Sequence, residues 1–233
     1  MPVTIASRED FNGIRRIWEE QFTTEAEYLN VMFNQIMPLC TSYIHREGEE
    51  ILSVASFMPM LFKNTATDIE LSGWYMFGVA TLSKAQGRKL AAGIISDAIK
   101  EFSSKNYHFV FERPAYQSLN NYYLKLGFSK AVERIPYRFL SLNEYGSSRN
   151  IRTPEAIKTL SERVIDQIRL NFPKRFEWAD PELILGLITL GEVQYNNENL
   201  NSSTKEDIYI AIHPLNGIDS SIFDSTFFCF PME

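Results

Sequence analysis

Apolar residues recur along this chain with two distinct periods. In "SREDFNGIRRIWEEQF", residues 7–22, Phe11, Ile14, Ile17 and Trp18 share one face of a helix, with Ser7 placed as its N-cap. "TEAEYLNVMFNQIM" gives a second helix, with Tyr28, Val31, Met32 and Ile36 on one side and Pro38 closing it. A short strand, "VTIA", precedes both. "CTSYIHREGEEILSVASFMPMLF" then holds two apolar-rich stretches about "REGEE" and reads as a hairpin. "DIELSGWYMFGVATL" is a longer strand, in which Gly73 and Gly78 mark a bulge or a close backbone approach. Helical spacing returns from Gly87 to Phe102, with Leu90, Ile94, Ile95, Ala98, Ile99 and Phe102 in one stripe. "YHFVFERP" is a buried strand ended by Pro114. "QSLNNYYLKLGF" is a short helix closed by Gly127, and "AVERIPYRFLSL" supplies further strands.

The order β-α-α-β-β-β-α-β-α-β predicts a mixed α/β (α+β) unit over residues 1–142, with a mostly antiparallel central sheet flanked by helices. "NEYGSSRNIRTPEA", residues 143–156, is polar and turn-rich and reads as a linker. Residues 157–233 read as a small C-terminal α/β extension. One helix, opened by Thr153 and Pro154, carries Ile157, Leu160, Val164 and Ile168. A second, "DPELILGLITLGEV", carries Ile184, Leu187 and Ile188. The strand "IYIAIHP" and an aromatic tail with Phe223, Phe227, Phe228 and Phe230 follow. So short a region buries too little surface to stand comfortably alone. It is therefore expected to pack on the first unit and wall the site; the alternative use of the same aromatics is a homodimer surface.

Composition narrows the chemistry. Among 233 residues there are two cysteines and three histidines, and the net charge is −6. Cys40 and Cys229 cannot form a disulfide framework and read as reduced, buried thiols, which suits a reducing, cytoplasmic location. His45, His108 and His213 lack ligand spacing, so no metal is expected. No apolar run reaches the roughly 18 residues of a membrane span, and the start of the chain lacks a signal-peptide pattern. The acidic balance and absence of a basic face argue against a nucleic-acid partner and are compatible with a cationic, amine-bearing one.

The candidate chemistry lies in "TLSKAQGRKLAAGIISDAIKEF". A strand feeds a glycine-containing loop and then a helix, whose first N–H groups have no internal partners and attract anions. Gly87 permits close backbone approach; Arg88 and Lys89 add positive charge at the mouth. "GVATLSKAQGRKLAAGII" resembles the acetyl-CoA loop of the GNAT superfamily of N-acetyltransferases, Q/R-x-x-G-x-G/A, with Gln86, Gly87, Arg88, Lys89, Leu90, Ala91 and Ala92 in register. "FVFERPAYQSLNNYYLKLGF" resembles that family's strand and following helix ending Y-x-K-x-G-F. The resemblance spans about residues 3–142 and is nearest to the enhanced-intracellular-survival branch. Lys89 stands where the family has glycine. With helical backbone angles it would still offer its amide, losing the clearance of a missing Cβ and adding an ammonium near the phosphates.

What the resemblance implies is transfer of an acetyl group from acetyl-CoA, as cosubstrate, to a small-molecule or peptide primary amine by direct attack. Backbone N–H groups around Phe77, Gly78 and Val79 would hold the developing oxyanion, and Tyr123 would be the general acid. Three carboxylates stand as candidate bases: Glu70 on the long strand, Glu112 at the end of the next, and Glu233 at the chain's end. Ser118 lies where a helix-start residue of the family meets CoA. A non-catalytic acyl-CoA-binding or regulatory module on the same fold is the competing reading; it would not depend on the Tyr123 hydroxyl.

Overall fold

A computed structural model describes residues 3–114, 116–132, 172–197 and 210–223, with residues 159, 162, 166, 169 and 170 lying in a helix. The expected linker, the terminal Glu233, Cys229 and the tail beyond Phe223 lie outside the described residues.

Strand β1 (Thr4–Ile5) leads to a short 3₁₀ turn, Arg8–Asp10, capped reciprocally: the Ser7 hydroxyl accepts from Glu9 N–H, and the Asp10 carboxylate accepts from Ser7 N–H. Helix α1 (Phe11–Gln21) therefore starts later than the sequence pattern predicts, and buries Ile14, Ile17 and Trp18 as expected. Helix α2 (Ala26–Val31) continues through a π turn at Met32–Ile36 into a 3₁₀ turn holding Pro38. The thiol of Cys40 donates to the Ile36 carbonyl at 3.2 Å, and burial pushes its pKa up, so it is a packed, unreactive group.

Strands β2 (Thr41–Glu47), β3 (Glu50–Asn64) and β4 (Ile69–Thr81) form an antiparallel meander. Helix α3 (Leu90–Ser104) crosses over to β5 (Phe109–Glu112), which pairs with β4 in parallel from Gly73↔Phe109 to Met76↔Glu112. Gly73 is required there, because a Cβ would lie 2.5 Å from the Phe109 carbonyl oxygen. Helix α4 (Asn120–Lys125) and β6 (Ser129–Val132) follow, then β7 (Lys174–Trp178), α5 (Pro181–Asn197) and β8 (Ile210–Pro214). The eight-stranded sheet runs β1-β2-β3-β4-β5-β8-β6, with β7 on β3 at Met60–Asn64.

Two features depart from the sequence reading. Strand β7 was not expected, since "KRFEW" is too short and too charged to show a clear alternation. Its charges are met locally: Arg175 bonds the Glu177 carboxylate at 2.5 Å and the Phe172 carbonyl at 3.0 Å. Strand β8 was expected, but its place was not. It runs antiparallel to both β5 and β6 and lies between them, so the paired strands β6 and β8 are separated in sequence by residues 133–209. The division expected after residue 142 therefore does not divide the sheet.

The sheet carries apolar layers on both faces. On one, α1, α2, the π turn and α5 cover Tyr75, Phe77, Phe109 and Phe111, with Leu183, Leu187 and Leu190 of α5 fully buried. On the other, α3 and α4 cover Phe57, Trp74, Met76 and Val110 through Ile94, Ile95, Ala98, Phe102 and Tyr123. Most of the predicted α3 stripe is thus the buried one.

Candidate active site

The site is built where β4 and β5 separate. Their pairing stops at Met76↔Glu112, after which β5 gives way to Arg113 and Pro114, and proline has no N–H to extend a ladder. Strand β4 runs on through Phe77, Gly78 and Val79 against β3 alone. The backbone is bulged there: β3 advances from Val54 to Ser56 while β4 advances from Phe77 to Ala80. Gly78 carries the bulge with φ +58, and a Cβ would come within 2.4 Å of the Trp18 ring, so both its conformation and its neighbour exclude a side chain. The ring of Phe77 is buried, edge-on to Trp18 and stacked on Tyr75, which leaves main-chain groups as what Phe77–Val79 can offer a ligand.

Beyond Thr81 the chain turns through Ser83–Ala85 and reaches α3 at Leu90. The end of α1 holds this loop. The Glu20 carboxylate accepts from Ser83 N–H at 2.7 Å, and Gln86 donates to the Gln21 side-chain oxygen at 3.1 Å and the Thr81 carbonyl at 3.3 Å. Gln86 thus anchors the loop. Gly87 has φ +78 and open space where a Cβ would be, as does Gly93.

Lys89 is not helical as expected. It has φ +62 and ψ 23, the left-handed conformation, and serves as the helix N-cap without a side-chain cap bond. Helix α3 consequently begins at Leu90, not Gly87, because a left-handed residue cannot propagate the right-handed turn. The amides of Leu90, Ala91 and Ala92 are in its first turn, where the helix provides no acceptors. The Lys89 ammonium is exposed and has no ion pair among the described residues. Arg88, expected at the mouth of the loop, is instead paired with Glu47 at the β2–β3 turn, and that hydrogen bond holds the Glu47 carboxyl below its usual range. Lys84 is likewise paired with Glu50 of the same turn.

On the opposite side of the wedge stands Tyr123. Helix α4 presents it, and Gly127, with φ +90, turns the chain into β6. A Cβ on Gly127 would lie 2.8 Å from His213 of β8, so β8 sets the seat of this helix. The Tyr123 ring is 5 % exposed, with edge contacts to Phe128 and Tyr122. Glu112, the last residue of β5, is 4 % exposed and shares that side of the sheet. Burial pushes its pKa up to about 9, against a smaller opposing influence from Tyr123 hydrogen bonding and the Arg113 charge. The carboxyl is therefore neutral at pH 7. Its Oε1 has no hydrogen-bond partner among the described residues. Burial first, and then the neighbouring Glu112, push the Tyr123 phenol up as well.

Not every sequence candidate converges here. Glu70 faces Lys63 at 3.2 Å near the start of β4, six residues before Met76, roughly 20 Å along the strand. Ser118 is exposed in the 3₁₀ turn Gln117–Leu119 that precedes α4. Sequence reasoning missed Trp18, which presses on the bulge, and Glu47, which occupies Arg88; only the acidic "REGEE" turn hinted at the latter. No group of three or more His, Cys, Asp or Glu among the described residues could hold a metal, and none of their helices is long and apolar enough to cross a membrane.

No family model matches the chain, and no curated protein matches it. Crystal structures do. Eis1 from Mycobacterium abscessus, of the branch that the motifs resemble, is 11% identical and aligns over 92% of this chain and 52% of its own, with a TM-score of 0.58. The chain has the GNAT fold. A conserved protein of unknown function from Enterococcus faecalis, described as a probable N-acyltransferase, is also similar: 14% identical over 57% of this chain and 33% of its own, TM-score 0.51. The chain thus spans between a third and about half of these two proteins. In the GNAT fold seen here, β8 occupies the sheet position between β5 and β6, and residues 133–209 separate β6 from β8 in sequence.

Proposed function

We propose that this chain is an acetyl-CoA-dependent N-acetyltransferase acting on a primary amine of a small molecule or peptide. The observation that carries the reading is the wedge between β4 and β5, flanked by an uncapped helix start on one side and by Tyr123 on the other. The residues fit the cosubstrate. Open space lies over Gly87 and Gly93, and the first-turn amides of α3 await an acceptor. Acetyl-CoA, when bound, supplies the activated thioester.

The chain's own residues would then do the following. Amides at Leu90–Ala92, with the Lys89 ammonium, hold the phosphates. Arg88 joins them by exchanging Glu47 for phosphate. A main-chain N–H within Phe77–Val79, where β4 has parted from β5, stabilises negative charge at the acyl oxygen. The Tyr123 hydroxyl gives a proton to the departing sulfur. Glu112, already protonated at neutral pH, has no capacity to take the amine's proton, and Glu70 stands at the other end of β4. Removal of that proton is assigned to solvent water.

Calorimetric titration with CoA, followed by thiol release from acetyl-CoA in the presence of spermidine or a lysine peptide, tests this reading. Binding together with release is expected. Binding without release, unaltered by Tyr123→Phe, would leave the non-catalytic module; absence of binding would end both.

A further inference from the structure

A bulge is a point of weak definition in a sheet, and here it lies where the acyl oxygen is to be held. The β3–β4 register passes from Val54↔Ala80 to Ser56↔Phe77, so Gly78 and Val79 together oppose the single residue Ala55. One residue of β4 is thereby left out of the β3 ladder, and the pairing with β5 has already ended at Met76. An N–H freed in this way serves an acyl oxygen only if the peptide plane that carries it keeps one direction. Glycine, the residue with the widest conformational range, does least to fix that direction by itself.

Strand β3 carries a residue at this point that a central strand does not ask for. Ser53 is fully buried, where an apolar β-branched residue would pack better and a hydroxyl is costly unless bonded. Its hydroxyl donates to the Ala80 carbonyl at 3.0 Å and lies 2.8 Å from the Thr81 hydroxyl. Ser53 has one proton to give, so Thr81 is the donor in the second contact. The Thr81 carbonyl accepts in turn from the Gln86 side chain at 3.3 Å. Side chains thus pin the peptide units just past the bulge, where the backbone ladder has been interrupted. We propose that Ser53, oriented by the Thr81 hydroxyl, is a positioning residue for acetyl transfer. It acts through the main chain of β4, holding the downstream end of the bulge so that the free N–H within Phe77–Val79 meets the acyl oxygen as negative charge gathers there. This inference rests on the acetyl-transfer reading. The same strand supplies its own comparison. Ser56 is equally buried, but its hydroxyl bonds Ser42 of β2 at 2.8 Å, on the edge of β3 away from β4. Deleting the Ser42 hydroxyl removes a buried hydrogen bond of the same kind and leaves the hold on β4 intact.

The test has two parts. In the cofactor-free protein, the backbone ¹H–¹⁵N shifts and amide exchange of Gly78 and Val79 are compared among wild type, Ser53→Ala and Ser42→Ala. Ser53→Ala should move the shifts and speed the exchange, and Ser42→Ala should leave both in place. In the second part, thiol release from acetyl-CoA is measured with spermidine, a lysine peptide and hydroxylamine as amine probes. Ser53→Ala should lower kcat by about 10- to 100-fold with KM for acetyl-CoA unchanged, the scale of a reacting contact that is misplaced rather than deleted. Thr81→Val, which keeps the shape but not the hydroxyl, should repeat that loss, and Thr81→Ser should recover the rate. Ser42→Ala should lose melting temperature much as Ser53→Ala does and keep its kcat. If Ser53→Ala does not fold, Thr81→Val carries the same comparison. Unmoved Gly78 and Val79 amides, an undiminished kcat, or a kcat loss that Ser42→Ala shares each overturn the role of Ser53 alone. Wild-type protein that releases no thiol with any of the three amines overturns the acetyl-transfer reading and this role with it.

Discussion

Lys89 shows how one backbone angle decides what a position asks for. A left-handed φ of +62 at a residue with a Cβ costs about 1–2 kcal/mol, which glycine would not incur. Lys89→Gly should therefore raise stability in urea by about 1 kcal/mol, the gain being trimmed by the freer unfolded chain. Glu47 shapes the same loop from across the β2–β3 turn. With Glu47→Gln, Arg88 is released and CoA should bind about two- to fivefold tighter at low salt, the difference closing as salt is added. Glu112 gives a third prediction. Its folded pKa of about 9 lies above the ordinary 4.5, so the unfolded chain sheds this proton first. Its contribution to stability is complete below 4.5 and is lost progressively up to about 9. Replacing it by neutral glutamine removes that loss. Glu112→Gln should be the more stable protein at pH 7 by about 3 kcal/mol, and the gap should shrink as pH falls toward 4.5. Thermal melts across that range measure it.

At the scale of elements, what could be read in advance was what is local. The α3 stripe, the Gly127 stop and the glycines of β4 each follow from spacing or from one residue's freedom. Gly78 was legible as a bulge or a close approach, and is both. Gly78→Ala should cost about 2–4 kcal/mol, combining the left-handed φ with displacement of Trp18, as a shift in the urea midpoint would show. What could not be read depends on partners distant in sequence. The conformation of Lys89 is fixed by how the loop is tied to Glu20 and Gln21, and sequence supplies the residue but not the φ. Glu112 looked like a strand-end charge in water. Only the tertiary packing around the end of β5 makes it a buried acid. Strand β7 exists because the end of β3 has a free edge, which the five residues "KRFEW" do not reveal.

At the scale of the molecule, the apolar centre draws on described residues from Ile14 to Phe223. Phe176 of β7 and Phe223 pack with Phe62, Phe109 and Phe111 at ring separations of 4.9–5.8 Å. Phe176→Ala should cost about 3–5 kcal/mol. A chain cut after residue 142 loses both rings and β8, leaving β5 and β6 without their common neighbour. It should show no cooperative melt, whereas a self-sufficient first unit would melt cooperatively and retain CoA binding. The position of β8 also bears on how the protein is made. A ribosome delivers about 5–20 residues each second. Strands β5 and β6 therefore wait several seconds, with their edges open, before Ile210–Pro214 leaves the exit tunnel to close them. During that wait the nascent chain is a template for pairing with other strands. Its yield on synthesis should thus depend on translation speed and on chaperone supply more steeply than its finished stability would suggest.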